Sequence, residues 1–97
     1  EQEEANYGKY GILRKNFLKE HRSGLYSSYL LTGKLTEHLN EVDQQARKRM
    51  EVLVRQMMEK QEITEELKAQ DQMAWVGAVN NIRNAAEEIV CNEIIFA

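Results

Sequence analysis

The sequence predicts an all-α fold, a small bundle of three to four helices with a long antiparallel helix pair at its C-terminal side. Apolar residues recur at spacings of three and four along most of the chain, which is the period of an α-helix. The 97 residues include five glycines and no proline, too few turn residues for a sandwich or barrel of short strands. We assign one helical domain to residues 8–97 and expect residues 1–7, which are polar and acidic, to form a flexible segment.

Two short helices are expected in the first third of the chain. The first spans residues 9–22 and carries most of the basic side chains of this region. A break at Ser23-Gly24 separates it from a short, strongly apolar helix that ends at Thr32-Gly33. The apolar residues of the first helix that should face the bundle are Ile12, Leu13, Phe17 and Leu18.

Two longer helices are expected in the rest of the chain. The third helix contains seven apolar residues at nearly heptad spacing, from Leu35 to Met57, and it runs to about Lys60. Thr36 is a candidate cap of its start. Thr64 is the expected cap of a last helix that continues unbroken towards Phe96. The connection between the two is only about four residues long, which favours an antiparallel pair. A strand is the alternative for residues 89–96, which are rich in β-branched side chains.

The charge distribution indicates one candidate binding surface. The net charge is -3, but residues 8–34 carry six lysine and arginine residues against one glutamate. Lysine and arginine on one helix can contact phosphates, while the alternative is an ordinary solvated face. The candidate nucleic-acid-binding residues are Arg14, Lys15, Lys19 and Arg22.

A second candidate is the asparagine-rich segment of the last helix. Asparagine is a poor helix former, yet three asparagines fall within five positions there. They could form a polar network that fixes the packing of the helices, or they could contact a partner. The residues concerned are Asn80, Asn81, Arg83 and Asn84.

No arrangement of residues indicates catalysis or a bound cofactor. His21 and His38 are seventeen positions apart and lack the spacing of a zinc site. Cys91 has no nearby histidine or basic cluster that would make it a nucleophile. There is no glycine-rich phosphate loop. We therefore expect a protein that is not an enzyme, with no cofactor, metal or small-molecule substrate.

The sequence also predicts self-association and a cytoplasmic location. One long last helix would expose an apolar seam that includes Ile94 and Phe96, and a homodimer would cover it. The single cysteine suits a reducing compartment. No apolar run approaches the ~18 residues of a membrane span, so we expect no membrane partner.

Several blocks of sequence resemble the TnpV transposon-encoded proteins. They are FLKEHR at residues 17–22, LLTGKL at 30–35, ITEELKA at 63–69 and NNIR at 80–83. The resemblance implies a small protein carried by mobile genetic elements, without implying an activity. Two functions stay open: an accessory protein that binds nucleic acid through its basic first helix, or a protein-binding regulator that inhibits a host defence system in the manner of an anti-CRISPR protein.

Overall fold

The computed structural model describes residues 4–97, which form five α-helices and one turn of π-helix and contain no strand. The all-α prediction is confirmed. The elements in chain order are α1 (Lys9–His21), α2 (Ser23–Leu31), α3 (Leu35–Lys60), α4 (Glu65–Gln70), α5 (Gln72–Val90) and the π-helical turn Cys91–Ile95.

The long antiparallel pair consists of α3 and α5. At about 1.5 Å per residue, the 26 residues of α3 extend for about 39 Å. The chain reverses between Lys60 and Glu65, and Glu93, just beyond α5, returns to lie beside Arg49, whose Nε donates to its carboxylate at 3.2 Å. The buried apolar core lies between these elements and comprises Val42, Ala46, Leu53, Ala86, Val90 and Ile95.

The prediction of one unbroken last helix is wrong at two places. At Asp71 the backbone leaves the helical region, and its side chain accepts a hydrogen bond from the Ala74 N–H at 3.1 Å, which caps α5. Beyond Val90 the helix widens, and the Phe96 N–H donates to the Cys91 carbonyl at 2.8 Å. The expected cap at Thr64 is present, since its hydroxyl accepts from the Leu67 N–H at 3.2 Å.

The π-helical turn directs the C-terminal apolar residues into the chain's own core. Ile95 is completely buried and Ile94 packs against the same core. The centroids of the Phe96 and Phe17 rings are 5.4 Å apart, and Phe96 is 46% exposed. The strand alternative for residues 89–96 is therefore wrong, and little of the expected apolar seam is left at this end.

The segment before α1 is held against α3. The side-chain oxygen of Asn40 accepts from the Asn6 N–H at 2.7 Å, and its amide nitrogen donates to the Glu4 carbonyl at 2.9 Å. Residues 1–3 of the segment expected to be flexible lie outside the described residues.

The molecule is elongated along the α3–α5 pair, and the other helices cover this pair unequally. Its principal extents are 55 × 26 × 18 Å, and its radius of gyration is 17.0 Å. A compact chain of this length has a radius of about 12–13 Å. Helix α1 packs on the first part of α3, whereas α4 packs on α5 alone. Within the described residues, no helix combines the length and the apolar character needed to span a membrane.

Candidate nucleic-acid interface

Helix α1 begins on a buried carboxylate that α3 supplies. The residue before the helix, Gly8, gives no side-chain cap. Instead Oδ1 of Asp43 accepts hydrogen bonds from the N–H groups of Tyr10 at 3.1 Å and Gly11 at 3.0 Å. These are among the N–H groups that have no partner inside a helix, so Asp43 replaces the missing cap.

The charge of Asp43 is stabilised although its side chain is nearly inaccessible to solvent. Burial disfavours the carboxylate, but the Gly11 N–H and the guanidinium of Arg47 outweigh it, and together they lower the pKa of Asp43. Nε of Arg47 donates to Oδ2 at 2.7 Å from the next turn of α3. The start of α1 is thereby fixed to one position on α3.

Gly11 lets α1 lie close to the preceding chain. A Cβ atom at this position would stand 2.6–2.7 Å from ring atoms of Tyr7, well inside van der Waals contact. The glycine is buried, and it shares one side of α1 with Arg14 and Leu18, which are also buried. Of the residues expected to face the bundle, Leu18 is buried and Leu13 packs against the core, whereas Ile12 is 51% exposed.

Arg14 binds the C-terminal end of the chain instead of facing solvent. The residue is only 8% exposed. One of its terminal nitrogens, Nη1, donates to the carbonyl oxygens of Ile95 and Ala97, each at 2.8 Å. The expectation that Arg14 belongs to a nucleic-acid-binding surface is therefore wrong, because its guanidinium is used inside the fold.

A histidine completes the environment of Arg14. Nε of Arg14 donates to Nε2 of His38 at 3.2 Å, which requires the neutral imidazole with its proton on Nδ1. The His38 ring stacks on Tyr29 of α2 with centroids 4.6 Å apart. Burial and the neighbouring guanidinium both lower the pKa of His38. Helices α1, α2 and α3 meet at this point.

The three remaining basic candidates form an exposed row. Lys15 and Lys19 are four positions apart and lie on one side of α1, and Arg22 is the residue that follows the helix, with a non-helical backbone. Lys19 and Arg22 are exposed, and Lys15 is partly so. Nζ of Lys19 lies 5.5 Å from the centre of the Tyr26 ring in α2. We name Lys15, Lys19, Arg22 and Tyr26 the basic row.

The basic row makes no ion pair with a carboxylate among residues 4–97, and the same holds for Lys34, Lys48, Arg55, Lys60, Lys68 and Arg83. Lys9 pairs with Glu87 at 2.7 Å, Arg49 pairs with Glu93, and Arg47 pairs with Asp43. An ammonium group without an internal partner is free to bind an external anion. The row differs from the other unpaired bases by its position in a basic segment, since residues 8–34 carry six lysine and arginine residues against Glu20 alone.

The asparagine-rich segment lies on the surface of α5. Asn80, Asn81, Arg83 and Asn84 are all exposed. This position does not agree with a network that joins helices, and the contact with a partner stays a prediction. Arg83 also borders a groove beside α3.

Within the described part of the chain, no group of three histidine, cysteine, aspartate or glutamate side chains is placed to hold a metal ion. Cys91 is partly buried, and burial, together with Glu87, raises the pKa of its thiol. A raised pKa leaves less of the reactive thiolate at neutral pH.

A comparison with models of known protein families shows to which family the chain belongs. The family model described as transposon-encoded protein TnpV matches residues 1–95. The chain belongs to the TnpV family. The searches of curated proteins and of solved structures found no match.

This TnpV protein contains the four blocks noted in its sequence, and the structure places them in different parts of the fold. FLKEHR forms the end of α1, LLTGKL joins α2 to α3, and ITEELKA begins α4, while NNIR is largely a surface feature of α5.

Sequence reasoning missed Asp43 and misassigned Arg14. Asp43 follows Val42 in a regular helical stripe, and its burial depends on α1, which is more than thirty residues away. A signal for Arg14 was present in the sequence, because it falls three residues after Gly11 and four before Leu18. With this spacing Arg14 lies on the same side of α1 as Gly11 and Leu18. A glycine inside a helix is itself a signal that another segment of the chain approaches that side closely.

Proposed function

We propose that this TnpV protein is a non-enzymatic accessory protein of a mobile genetic element that binds nucleic acid through the basic row. The observation that carries the proposal is the concentration of bases at the end of α1, where Lys15, Lys19 and Arg22 make no ion pair with a carboxylate among residues 4–97 and Glu20 is the one acidic residue of the segment 8–34. The family supports the genomic setting, since its members are described as transposon-encoded.

The row suits a phosphate backbone in length and chemistry. From Lys15 to Arg22, the residue that follows α1, it extends for about 10 Å, which is the axial length of about three phosphates of one strand. Lys19 and Tyr26 add an aromatic ring that a base of a single strand can stack on. Contacts between these side chains and phosphates carry no sequence information, so we expect binding that depends little on sequence.

The test is a titration of two fluorescein-labelled probes, a duplex DNA and one of its single strands, followed by fluorescence anisotropy. The variant Lys19→Glu/Arg22→Glu reverses two exposed charges of the row. The matched control Lys48→Glu/Lys60→Glu reverses two exposed charges on α3 and changes the net charge equally. We expect the first variant to lose affinity at least about tenfold and the control to lose much less, since local phosphate contacts dominate affinity.

Two results would contradict the proposal. Equal losses in the two variants would show that only the overall charge matters. A wild-type chain that leaves the anisotropy of both probes unchanged would favour the alternative function, a protein-binding regulator. Arg14 is excluded from the variants, because its removal would disturb the C-terminal end of the fold.

A further inference from the structure

Helix α2 is attached to the rest of the fold through two tyrosine side chains. Of its nine residues, Tyr26 and Tyr29 are partly buried and the other seven are exposed. Three of the exposed residues are leucines, and one of them, Leu31, is 87% exposed. The burial of apolar area therefore holds this helix only weakly.

The two tyrosines pack on different elements. Tyr26 lies beside Lys19 of α1, whose Nζ is 5.5 Å from the centre of its ring. Tyr29 reaches α3, where its ring stacks on His38 with the two planes inclined by 19° and the centroids 4.6 Å apart. This stack joins α2 to α3.

His38 also accepts a hydrogen bond from a buried cation. Because Nε of Arg14 donates to Nε2 of His38 at 3.2 Å, the imidazole must be neutral and must keep a lone pair on Nε2. A proton on Nε2 would turn the acceptor into a donor and place two positive charges in contact. Arg14 is only 8% exposed, so water screens little of their repulsion.

Of these two side chains, His38 is the one that can move at lower cost. The guanidinium of Arg14 also donates to the carbonyl groups of Ile95 and Ala97, and these two hydrogen bonds of 2.8 Å are shorter than its bond to His38. His38, in contrast, packs on the weakly held helix α2. After protonation we therefore expect the His38 side chain to turn away from Arg14 and to break its stack on Tyr29.

We propose that protonation of His38 releases α2 from the rest of the fold in mildly acidic solution. This release is a property of the fold and does not depend on nucleic-acid binding. The residues 23–31 would then be held only by the chain at their two ends and by the contact between Tyr26 and Lys19.

The charges around His38 determine the pH range of the release. Burial of the ring and the charge of Arg14 lower the pKa of His38, Glu41 of α3 opposes them with a smaller effect, and the titratable neighbour on α2 is Tyr29. Since the lowered pKa belongs to the folded state, the unfolded chain binds the proton more readily. The stabilisation is therefore complete above about pH 6.5 and is lost as pH falls from there through the lowered pKa.

The first experiment follows the full chain by NMR between about pH 7.5 and about pH 5. The ring signals of His21 and His38 report the protonation of each histidine, and the heteronuclear NOE reports the rigidity of each backbone amide. We expect the NOE of residues 23–31 to fall as the His38 ring titrates. The amides of α3 and α5 should keep their NOE, and so should that of Ile95, because Arg14 stays bound to the C-terminal carbonyl groups.

A pair of matched variants tests whether His38 is the responsible group. His38→Gln keeps an acceptor for Arg14 on a side chain that cannot be protonated, so its α2 should stay rigid at about pH 5. His21→Gln makes the same change at the exposed histidine of α1, and its α2 should lose rigidity as in the wild type. Circular dichroism at neutral pH checks that both variants fold.

Three outcomes would overturn the proposal. The first is a wild-type α2 that stays rigid down to about pH 5. The second is an α2 that loses rigidity equally in the wild type and in His38→Gln, or, in the wild type alone, a loss that follows the titration of His21 instead of His38. The third is a simultaneous loss of rigidity in all helices, which would indicate global unfolding instead of the release of α2.

Discussion

The substitution Arg14→Met isolates what the buried guanidinium contributes to the fold. Methionine keeps most of the apolar stem, so the change removes mainly the hydrogen bonds of the charged group. Two of these hydrogen bonds, both 2.8 Å long, hold the carbonyl groups of Ile95 and Ala97, and a third reaches His38.

The loss of stability in Arg14→Met depends on whether water can hydrate each carbonyl group after the guanidinium is removed. Ile95 is completely buried, so its carbonyl loses its side-chain donor without gaining water, whereas Ala97 is exposed and can be hydrated. A hydrogen bond from a charged group contributes about 1.5–3 kcal/mol, and one whose acceptor regains water contributes less. We expect the free energy of unfolding to fall by about 3 kcal/mol, which for a domain of this size lowers Tm by roughly 12–24 °C.

The assay is urea denaturation followed by far-UV circular dichroism, with amide hydrogen exchange to locate the effect. In Arg14→Met, exchange should accelerate first in the π-helical turn Cys91–Ile95, whose end the guanidinium holds. Lys15→Met is the matched control, because Lys15 makes no ion pair within residues 4–97, and it should change stability by less than about 0.5 kcal/mol. Equal stability of the two variants would refute the structural role of Arg14.

Two further predictions concern the start of α1. Because the folded-state pKa of Asp43 lies below the ordinary value, its carboxylate stabilises the fold above about pH 4 and this stabilisation is lost as pH falls through the lowered pKa. The unfolding free energy of Asp43→Asn, measured by urea denaturation, should therefore fall less steeply than that of the wild type below about pH 5; parallel curves would contradict this. Gly11→Ala should destabilise the fold by about 1–3 kcal/mol through its clash with Tyr7. Gly77→Ala, whose Cβ meets no atom within 4 Å, should raise stability by about 0.5–1 kcal/mol, and thermal unfolding that ranks the two variants in the opposite order would be inconsistent with the packing.

Much of the helical architecture could be predicted from local signals. The end of α3 at Lys60 agrees with the prediction, because its apolar stripe is regular. Its start does not, since the helix begins at Leu35 and the candidate cap Thr36 lies inside it. The cap at Thr64 was also predictable from the acidic residues that follow it. The break at Asp71 was not, since an aspartate inside a long periodic segment can either face solvent or cap a new helix.

The candidate site was only partly predictable, because burial of a charged residue depends on distant parts of the chain. Lys15, Lys19 and Arg22 lie on the surface as expected. Arg14 looked equivalent to them in composition, but the carbonyl groups that bind it are about eighty residues away. Asp43 likewise acquires its role from the helix start that packs on it.

The salt dependence of duplex DNA binding tests the proposed role of the basic row most directly. Each phosphate contact contributes about -0.9 to the slope of log affinity against log salt concentration, so three contacts predict a wild-type slope of about -3. Lys19→Glu/Arg22→Glu removes two of these contacts and should reduce the steepness by about 2, while Lys48→Glu/Lys60→Glu should leave it nearly unchanged. A wild-type slope near zero, or an equal slope in the wild type and in Lys19→Glu/Arg22→Glu, would contradict binding through this surface.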